Sequence, residues 1–250
     1  MDWAPAFYAR QYEWLSDDAF WTVQAEHHER AAQAMQLAGP PPQRVLELGA
    51  GGGQTAAAMA DLGFEVVANE LLPAAVERAR VLADMARPGS LTILPGDFFR
   101  IEPPGRFDLV TYWDGFGIGE DDDQRGLLAR IAGWLGPGGR ALIEVYTPCY
   151  WAEAAGRTMQ IGAAERRYGF DADGCRMLDR WQPAGAPEEA VEQSLRCYSP
   201  ADLRLLLKGT GLRLVRVTPG GHWDDDTRIY TPEAPLAVAM TYLATLDADC

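Results

Sequence analysis

Residues 44 to 70 read RVLELGAGGGQTAAAMADLGFEVVANE: an apolar run that breaks into glycines, an alanine-rich helical stretch, and a second apolar run that closes on an acid. Short apolar runs separated by helical periodicity describe parallel strands covered on both faces. The rhythm continues with helix PAAVERARVLADMA, strands LTILPGD and FDLVTYW, helix QRGLLARIAGWL, a GPGG turn and strand RALIEVY, which ends at Tyr146. The expectation for residues 44–146 is therefore a doubly wound, mainly parallel α/β core. Further on, SPADLRLLLKGTGL has a Ser N-cap, a Pro at the first helical position and a glycine stop. Strand LRLVRV follows; LAVAMTYLATL has a periodicity open to strand or helix, and the architecture favours a final strand, so residues 199–250 complete a sheet of seven strands.

Two segments depart from this rhythm. Residues 1–40 carry apolar and aromatic side chains at helical spacing, among them Phe7, Tyr8, Tyr12, Trp14, Phe20 and Trp21, and stop at GPPP; they read as a helical cap. Residues 149–198 contain RRYGFDADGCRMLDRW and EAVEQSLRCYS, extended stretches around an Asp-Ala-Asp-Gly turn; they read as an inserted β-rich cover bearing Tyr150, Trp151, Tyr168, Phe170 and Trp181. A chain of 250 residues accommodates all of this as one domain.

Charge narrows the partners. With 22 Lys+Arg against 36 Asp+Glu, the net charge of -14 opposes a polyanion, so no nucleic-acid partner is expected, while a small neutral or cationic molecule is not disfavoured. The four cysteines show no metal-binding spacing and no disulfide framework. The N-terminal stretch lacks signal-peptide character, and no apolar run is long enough to span a bilayer. A cytoplasmic protein without membrane contact is the expectation, with a homodimer left open.

In a parallel sheet, ligands sit beyond the carboxyl ends of the strands, which is where Gly49, Gly51 and Gly53 lie. Glycines there allow a tight turn and close approach of a ligand to the backbone. A dinucleotide fold uses G-x-G-x-x-G, but Gln54 stands where the third glycine belongs. Glu47, two residues before Gly49, would repel a pyrophosphate and suits an amino group. Glu70 ends the second strand where a ribose is usually gripped.

The run E-L-G-A-G-G-G resembles the E/D-x-G-x-G-x-G motif of class I S-adenosylmethionine-dependent methyltransferases of the small-molecule type. ANE, PGDFF, FDLVTYWDGFG and WLGPGGRALIEVY match that family's later motifs in order over Arg44 to Tyr146. The resemblance implies a Rossmann-like methyltransferase fold and S-adenosylmethionine as cofactor. It puts Gly49, Ala50, Gly51 and Gly53 beneath the amino-acid portion, with Glu47 near the ammonium. It gives Glu70 the ribose hydroxyls, Leu71 and Phe98 the adenine faces, Asp97 the adenine amino group, and Tyr112 and Trp113 the surroundings of the sulfonium.

Methyl transfer needs alignment above all, and a base only where the acceptor must lose a proton. Two candidates stand near the expected site. His222, in TPGGHWDDD, carries an imidazole suited to proton transfer near neutrality. Asp114 follows the fourth strand and could hold an amine or hydroxyl, or cap a turn. Tyr8, Tyr12, Tyr146 and Trp151 are expected to line the acceptor pocket. WDGF replaces the N-P-P-Y motif, which argues against nucleobase or glutamine amides as acceptors. No metal is expected: HHE at residues 27–29 lacks a metal spacing, and the acids at 120–123 precede a helix whose dipole they complement. The cluster Asp224 to Asp226 leaves a cation open. The functions implied are O- or N-methylation of a metabolite or natural-product intermediate; alternatively a cyclisation or elimination on the same fold, or a non-catalytic scaffold.

Overall fold

The computed structural model describes residues 3–15, 21–40, 43–225 and 227–249. Phe20, Asp226 and Cys250 lie outside the described residues.

The chain opens with α1 (Trp3–Trp14) and α2 (Ala25–Ala38). The core follows as β1 (Arg44–Leu48), α3 (Gln54–Asp61), β2 (Glu65–Glu70), α4 (Pro73–Ala83), β3 (Ser90–Pro95), β4 (Phe107–Phe116), α5 (Asp121–Trp134) and β5 (Leu135–Tyr146). Next come α6 (Pro148–Glu153) and the strands β6 (Thr158–Ile161), β7 (Ala164–Asp171), β8 (Arg176–Pro183) and β9 (Val191–Arg196). The chain finishes with α7 (Pro200–Leu206), β10 (Leu212–Pro219), the hairpin β11 (His222–Asp224) and β12 (Ile229–Thr231), and β13 (Thr241–Ala248).

Seven strands form the central sheet in the order β10-β13-β5-β4-β1-β2-β3. Strands β5, β4, β1, β2 and β3 run parallel, and β13 is antiparallel to both β5 and β10. This is the doubly wound, Rossmann-like sheet expected from the sequence. The apolar strands are buried on both faces, and their two-residue period decides what each face receives. Val45, Leu109, Trp113 and Leu142 pack with the alanines of α2 and α3. Leu46, Leu48, Val110, Tyr112 and Ile143 pack on the other face, against α5 and α7. The same alternation points Glu47 of β1 and Glu144 of β5 toward α2, and it sends the adjacent Tyr112 and Trp113 to opposite faces.

The N-terminal segment differs from a continuous helix. Two helices form, and Gln24 starts the second with a capping box in which its backbone N–H donates to His27 Nδ1 at 2.8 Å. His27, read from the sequence as part of a polar face, is thereby turned inward. The acids at 120–123 behave as expected: Glu120 N donates to Asp123 Oδ2 at 2.9 Å, and α5 starts there.

Strands β6 to β9 make a separate four-stranded antiparallel sheet. Its turn at 171–174 is closed by Asp173 N donating to Asp171 Oδ1 at 3.0 Å. An isolated bridge between Ile118 and Leu195, and Arg196 N donating to Gly117 O at 2.9 Å, join this sheet to the loop after β4. Helix α1 lies on β9, with Phe7 edge-on to Trp181 at 6.5 Å and Tyr8 Oη donating to Gln193 Oε1 at 3.1 Å. Beneath them Asp179, fully buried, accepts from Arg166 at 2.8 and 2.7 Å and from Gln193 Nε2 at 2.9 Å. The cover therefore carries α1 as well as its own strands. Among the described residues no helix is long and apolar enough to cross a membrane.

Removing Asp179 strands a largely buried guanidinium, which typically costs about 3–5 kcal/mol. Asp179→Ala is expected to lower the unfolding free energy by that much in a urea titration. A loss under about 1 kcal/mol would mean the pair behaves as a solvated one.

Candidate functional site

The turn from β1 into α3 is made by glycines because its backbone demands them. Gly49, Gly51 and Gly53 have φ of 60°, 56° and 80°, in the left-handed region that other residues enter at a cost. A Cβ on Gly51 would sit 3.3 Å from the Tyr12 hydroxyl, and one on Gly53 would press on Ala79 Cβ at 3.0 Å. Backbone bonds set the loop against β2, with Ala50 N donating to Asn69 O at 2.9 Å. Asn69 in turn spends its amide on Leu94 O at 2.9 Å and Gly96 O at 2.8 Å, which ties the end of β2 to β3.

Glu70 is the keystone of this corner. Its Oε2 accepts from Gly51 N and its Oε1 from Leu72 N, each at 2.8 Å. Burial pushes its pKa up, opposed by the N–H groups of Leu72, Gly51 and Leu71. A carboxylate has about four lone-pair sites, so acceptor capacity remains for a ligand.

Two cavities meet at this loop, sharing Tyr8, Tyr12 and Gly49 in their walls. The first, of about 360 Å³, is lined by Glu70, Leu71, Asp97, Phe98 and Tyr112 on the core side and by Ala4 and Pro5 of α1. Phe98 lies 5.2 Å from Tyr112 and 4.6 Å from Phe99, tilted against both, an aromatic wall suited to a flat ring. Asp97 closes its own turn, accepting from Phe99 N at 2.9 Å through Oδ1. The second cavity, of about 340 Å³, is lined by Glu47, Ala50, Gly51, Trp113 and Asp114 together with Arg30 and His27 of α2.

The second cavity is rich in acids. Glu47 is buried, its Oε2 has no hydrogen-bond partner, and burial lifts its pKa from 4.5 to about 8 despite Arg30 nearby. Asp114 has φ of 51°, uncommon outside glycine, and its Oδ1 accepts from Tyr146 Oη. Its backbone N donates to Glu144 Oε2 at 3.1 Å, while Glu144 Oε1 accepts from Thr241 Oγ1 at 3.1 Å. Arg30 Nη2 reaches Glu144 Oε2 at 3.3 Å, and the guanidinium lies over the Trp113 ring at 5.4 Å. Burial acts to lower the Arg30 pKa, but Glu144, Asp114 and Glu47 outweigh it, so the charge is held firmly. His27 moves the other way, its pKa lowered chiefly by burial.

Most residues singled out from the sequence are brought together here. Glu47, Gly49, Ala50, Gly51, Glu70, Leu71, Asp97, Phe98, Trp113, Asp114, Tyr8 and Tyr12 all line one or both cavities. Gly53, Tyr146, Trp151 and His222 line neither. Gly53 serves the turn, and Tyr146 acts from behind by holding Asp114. Trp151 packs at 5.3 Å from Tyr146 and donates from Nε1 to Met240 O at 2.9 Å. His222 stands on the β11 hairpin with Nδ1 on Val238 O at 2.7 Å and its ring 5.6 Å from Tyr150. Asp225 is engaged by Trp223 Nε1 at 2.7 Å and Arg157 at 2.9 Å. Arg30, Glu144 and Gln193 went unread in the sequence; the spacing of His27 and Arg30, three apart on one helical face, is the signal that could have exposed the first.

The site fits the cofactor implied by the resemblance. An orphaned buried carboxylate oxygen at Glu47 matches an ammonium, the glycine loop leaves room for a ligand beside the backbone, and Glu70 retains acceptor capacity at the mouth of an aromatic cavity.

Comparison with known proteins agrees. The sequence profile of a family described as a methyltransferase domain matches residues 23–217. No curated protein matches. Among solved structures, the chain is similar to the CcbJ methyltransferase from Streptomyces caelestis, with 22% identity, 91% of each chain covered and a TM-score of 0.72. An S-adenosylmethionine-dependent methyltransferase from Clostridium acetobutylicum shares 13% identity over 98% of this chain and 99% of its own, with a TM-score of 0.72. CalS10 from Micromonospora echinaspora, an amino pentose methyltransferase of calicheamicin biosynthesis, shares 22% over 89% and 92%, with a TM-score of 0.59.

Glu47 gives a pH signature. Its folded pKa near 8 lies above the ordinary 4.5, so its contribution to stability is fully present below about pH 4.5 and is lost as pH rises through 8. Without added ligand, Glu47→Gln should gain on the native protein by on the order of 4 kcal/mol between pH 5 and 9, measured by denaturant titration at each pH. Parallel pH profiles would show that Glu47 is ionised throughout.

Proposed function

Because the chain belongs to the methyltransferase-domain family and is an S-adenosylmethionine-dependent class I methyltransferase, we propose that it methylates an amine nitrogen of a small natural-product intermediate. The observation that carries this is Asp114, set on a left-handed backbone in the cavity wall and held there by Tyr146 and Glu144. Its carboxylate attracts a cationic amine and accepts the proton the nitrogen must lose. Support comes from the surroundings, where Glu47 and Asp114 line the same cavity and the chain carries a net charge of -14. CalS10, which shares the fold, acts on an amino pentose.

When bound, S-adenosylmethionine supplies an electrophilic methyl group on a cationic sulfur. Glu70, Asp97 and Phe98 would hold the adenosine in the first cavity, and Glu47 would receive the ammonium in the second. Tyr8 and Tyr12, shared by both cavities, close the seam and exclude water. With the cofactor bound, Asp114 would take a proton from the cationic amine and so free the nitrogen lone pair that methylation requires. Helices α1 and α2 wall the cavities, and the cover's β9 carries α1.

The test is incubation with methyl-labelled cofactor and a panel of small amines paired with their hydroxyl counterparts. Label on nitrogen is expected, with Asp114→Asn slowing turnover by about 10²-fold or more. Label found only on oxygen, or product formed at full rate without label, would contradict the amine assignment.

A further inference from the structure

A primary or secondary amine keeps an N–H after Asp114 has taken its proton, and inside a closed site that N–H needs a lone pair to meet. A neighbouring hydroxyl can supply one only if its own proton is directed elsewhere. A hydroxyl free to turn would donate to the nitrogen instead, occupying the electron pair that methylation uses.

Tyr8 lines both cavities and shares the second with Asp114. Its Oη donates to Gln193 Oε1 at 3.1 Å. Which end of the Gln193 amide meets Tyr8 is decided one step further out, within the cover. Asp179, fully buried, takes two bonds from Arg166, at 2.8 and 2.7 Å, and a carboxylate so paired can only accept. Gln193 accordingly turns its Nε2 to Asp179, at 2.9 Å, and leaves its carbonyl oxygen for Tyr8. Burial pushes the Tyr8 pKa well up, so the hydroxyl keeps the proton it gives to that oxygen. Lone pairs alone then face the cavity. Tyr112 reaches the same polarity by a local route, donating to Gly115 O at 2.7 Å, whereas Tyr8 depends on a residue of β9.

We propose that Gln193 is a positioning residue for the acceptor: oriented by Asp179, it fixes Tyr8 as the hydrogen-bond acceptor for the N–H that a primary or secondary amine retains, and so leaves the nitrogen lone pair free. The cover sheet thereby takes part in acceptor recognition although Gln193 stands behind Tyr8 and not in the cavity wall. The assignment deepens the amine reading and rests on it.

Two measurements test it. Neutron diffraction from deuterium-exchanged crystals of the native protein should place the deuteron of Tyr8 Oη toward Gln193 Oε1; a deuteron aimed into the cavity would overturn the proposal. Steady-state kinetics then compare the native protein, Gln193→Met, Tyr8→Phe and the double variant on the amine of the methyl-labelled panel that turns over fastest. Gln193→Met keeps the length of the side chain and removes its carbonyl. Each single variant should lower kcat/KM for the amine by about 10-fold. The double variant should be no worse than Tyr8→Phe alone, because Gln193 acts through the Tyr8 hydroxyl. Affinity for S-adenosylhomocysteine, by isothermal titration, should stay within about 3-fold in all four proteins. Losses that multiply in the double variant, a fall in S-adenosylhomocysteine affinity in step with the kinetics, or full activity in Gln193→Met would make Gln193 only a prop for the cover and overturn the proposal. A panel labelled on oxygen alone, or on no amine, would fail the amine reading and the proposal with it, even with the deuteron in its expected place.

Discussion

The carboxylate of Glu70 holds the site together. By accepting from Gly51 N and Leu72 N, it ties the turn after β1 to the turn after β2. Burying a carboxylate is costly, and charge-assisted bonds to backbone N–H groups offset that cost where the chain can supply them. The left-handed glycines let the loop present Gly51 N to Glu70, and the ending of β2 on Glu70 puts the acid at the strand's carboxyl edge. Both cavities open from this corner, so their shapes follow from a few backbone torsions and one acid.

Sheet parity then distributes the chemistry. Tyr112 and Trp113 are neighbours in sequence, yet one lines the aromatic first cavity and the other the acidic second. Glu47 and Glu144 face α2 for the same reason, and Arg30 answers both. Burial raises the pKa of Glu47 and of Glu144, and Arg30 pulls each back. A low-dielectric pocket of this kind is responsive to cations.

Much of the core was legible because it depends on local chemistry. The glycines, Glu70 and Asp97 sit at strand ends where turn geometry selects the residue type, and those positions recur in the structure as expected. The cover was legible as β-rich through its Asp-Ala-Asp-Gly turn, but its attachment was not: the Ile118–Leu195 bridge and the chain of contacts from Arg166 through Asp179 and Gln193 to Tyr8 join residues far apart in sequence. Arg30 escaped because a lone arginine on a polar helix looks solvated until the sheet parity beneath it is known. His222 shows the converse. A loop histidine after the β10 strand suits proton transfer by type, yet the β11–β12 hairpin puts its Nδ1 on the Val238 carbonyl and its ring against Tyr150.

The central claim is that one nucleoside-and-amino-acid ligand spans both cavities across the Glu70 corner. A crystal structure of the protein with S-adenosylhomocysteine tests it most directly. The account predicts both ribose hydroxyls on Glu70, the adenine between Leu71 and Phe98 with its amino group at Asp97, and the amino-acid end beside Glu47. A nucleoside bound without contact to Glu70, or confined to one cavity with its amino-acid end in solvent, would contradict it.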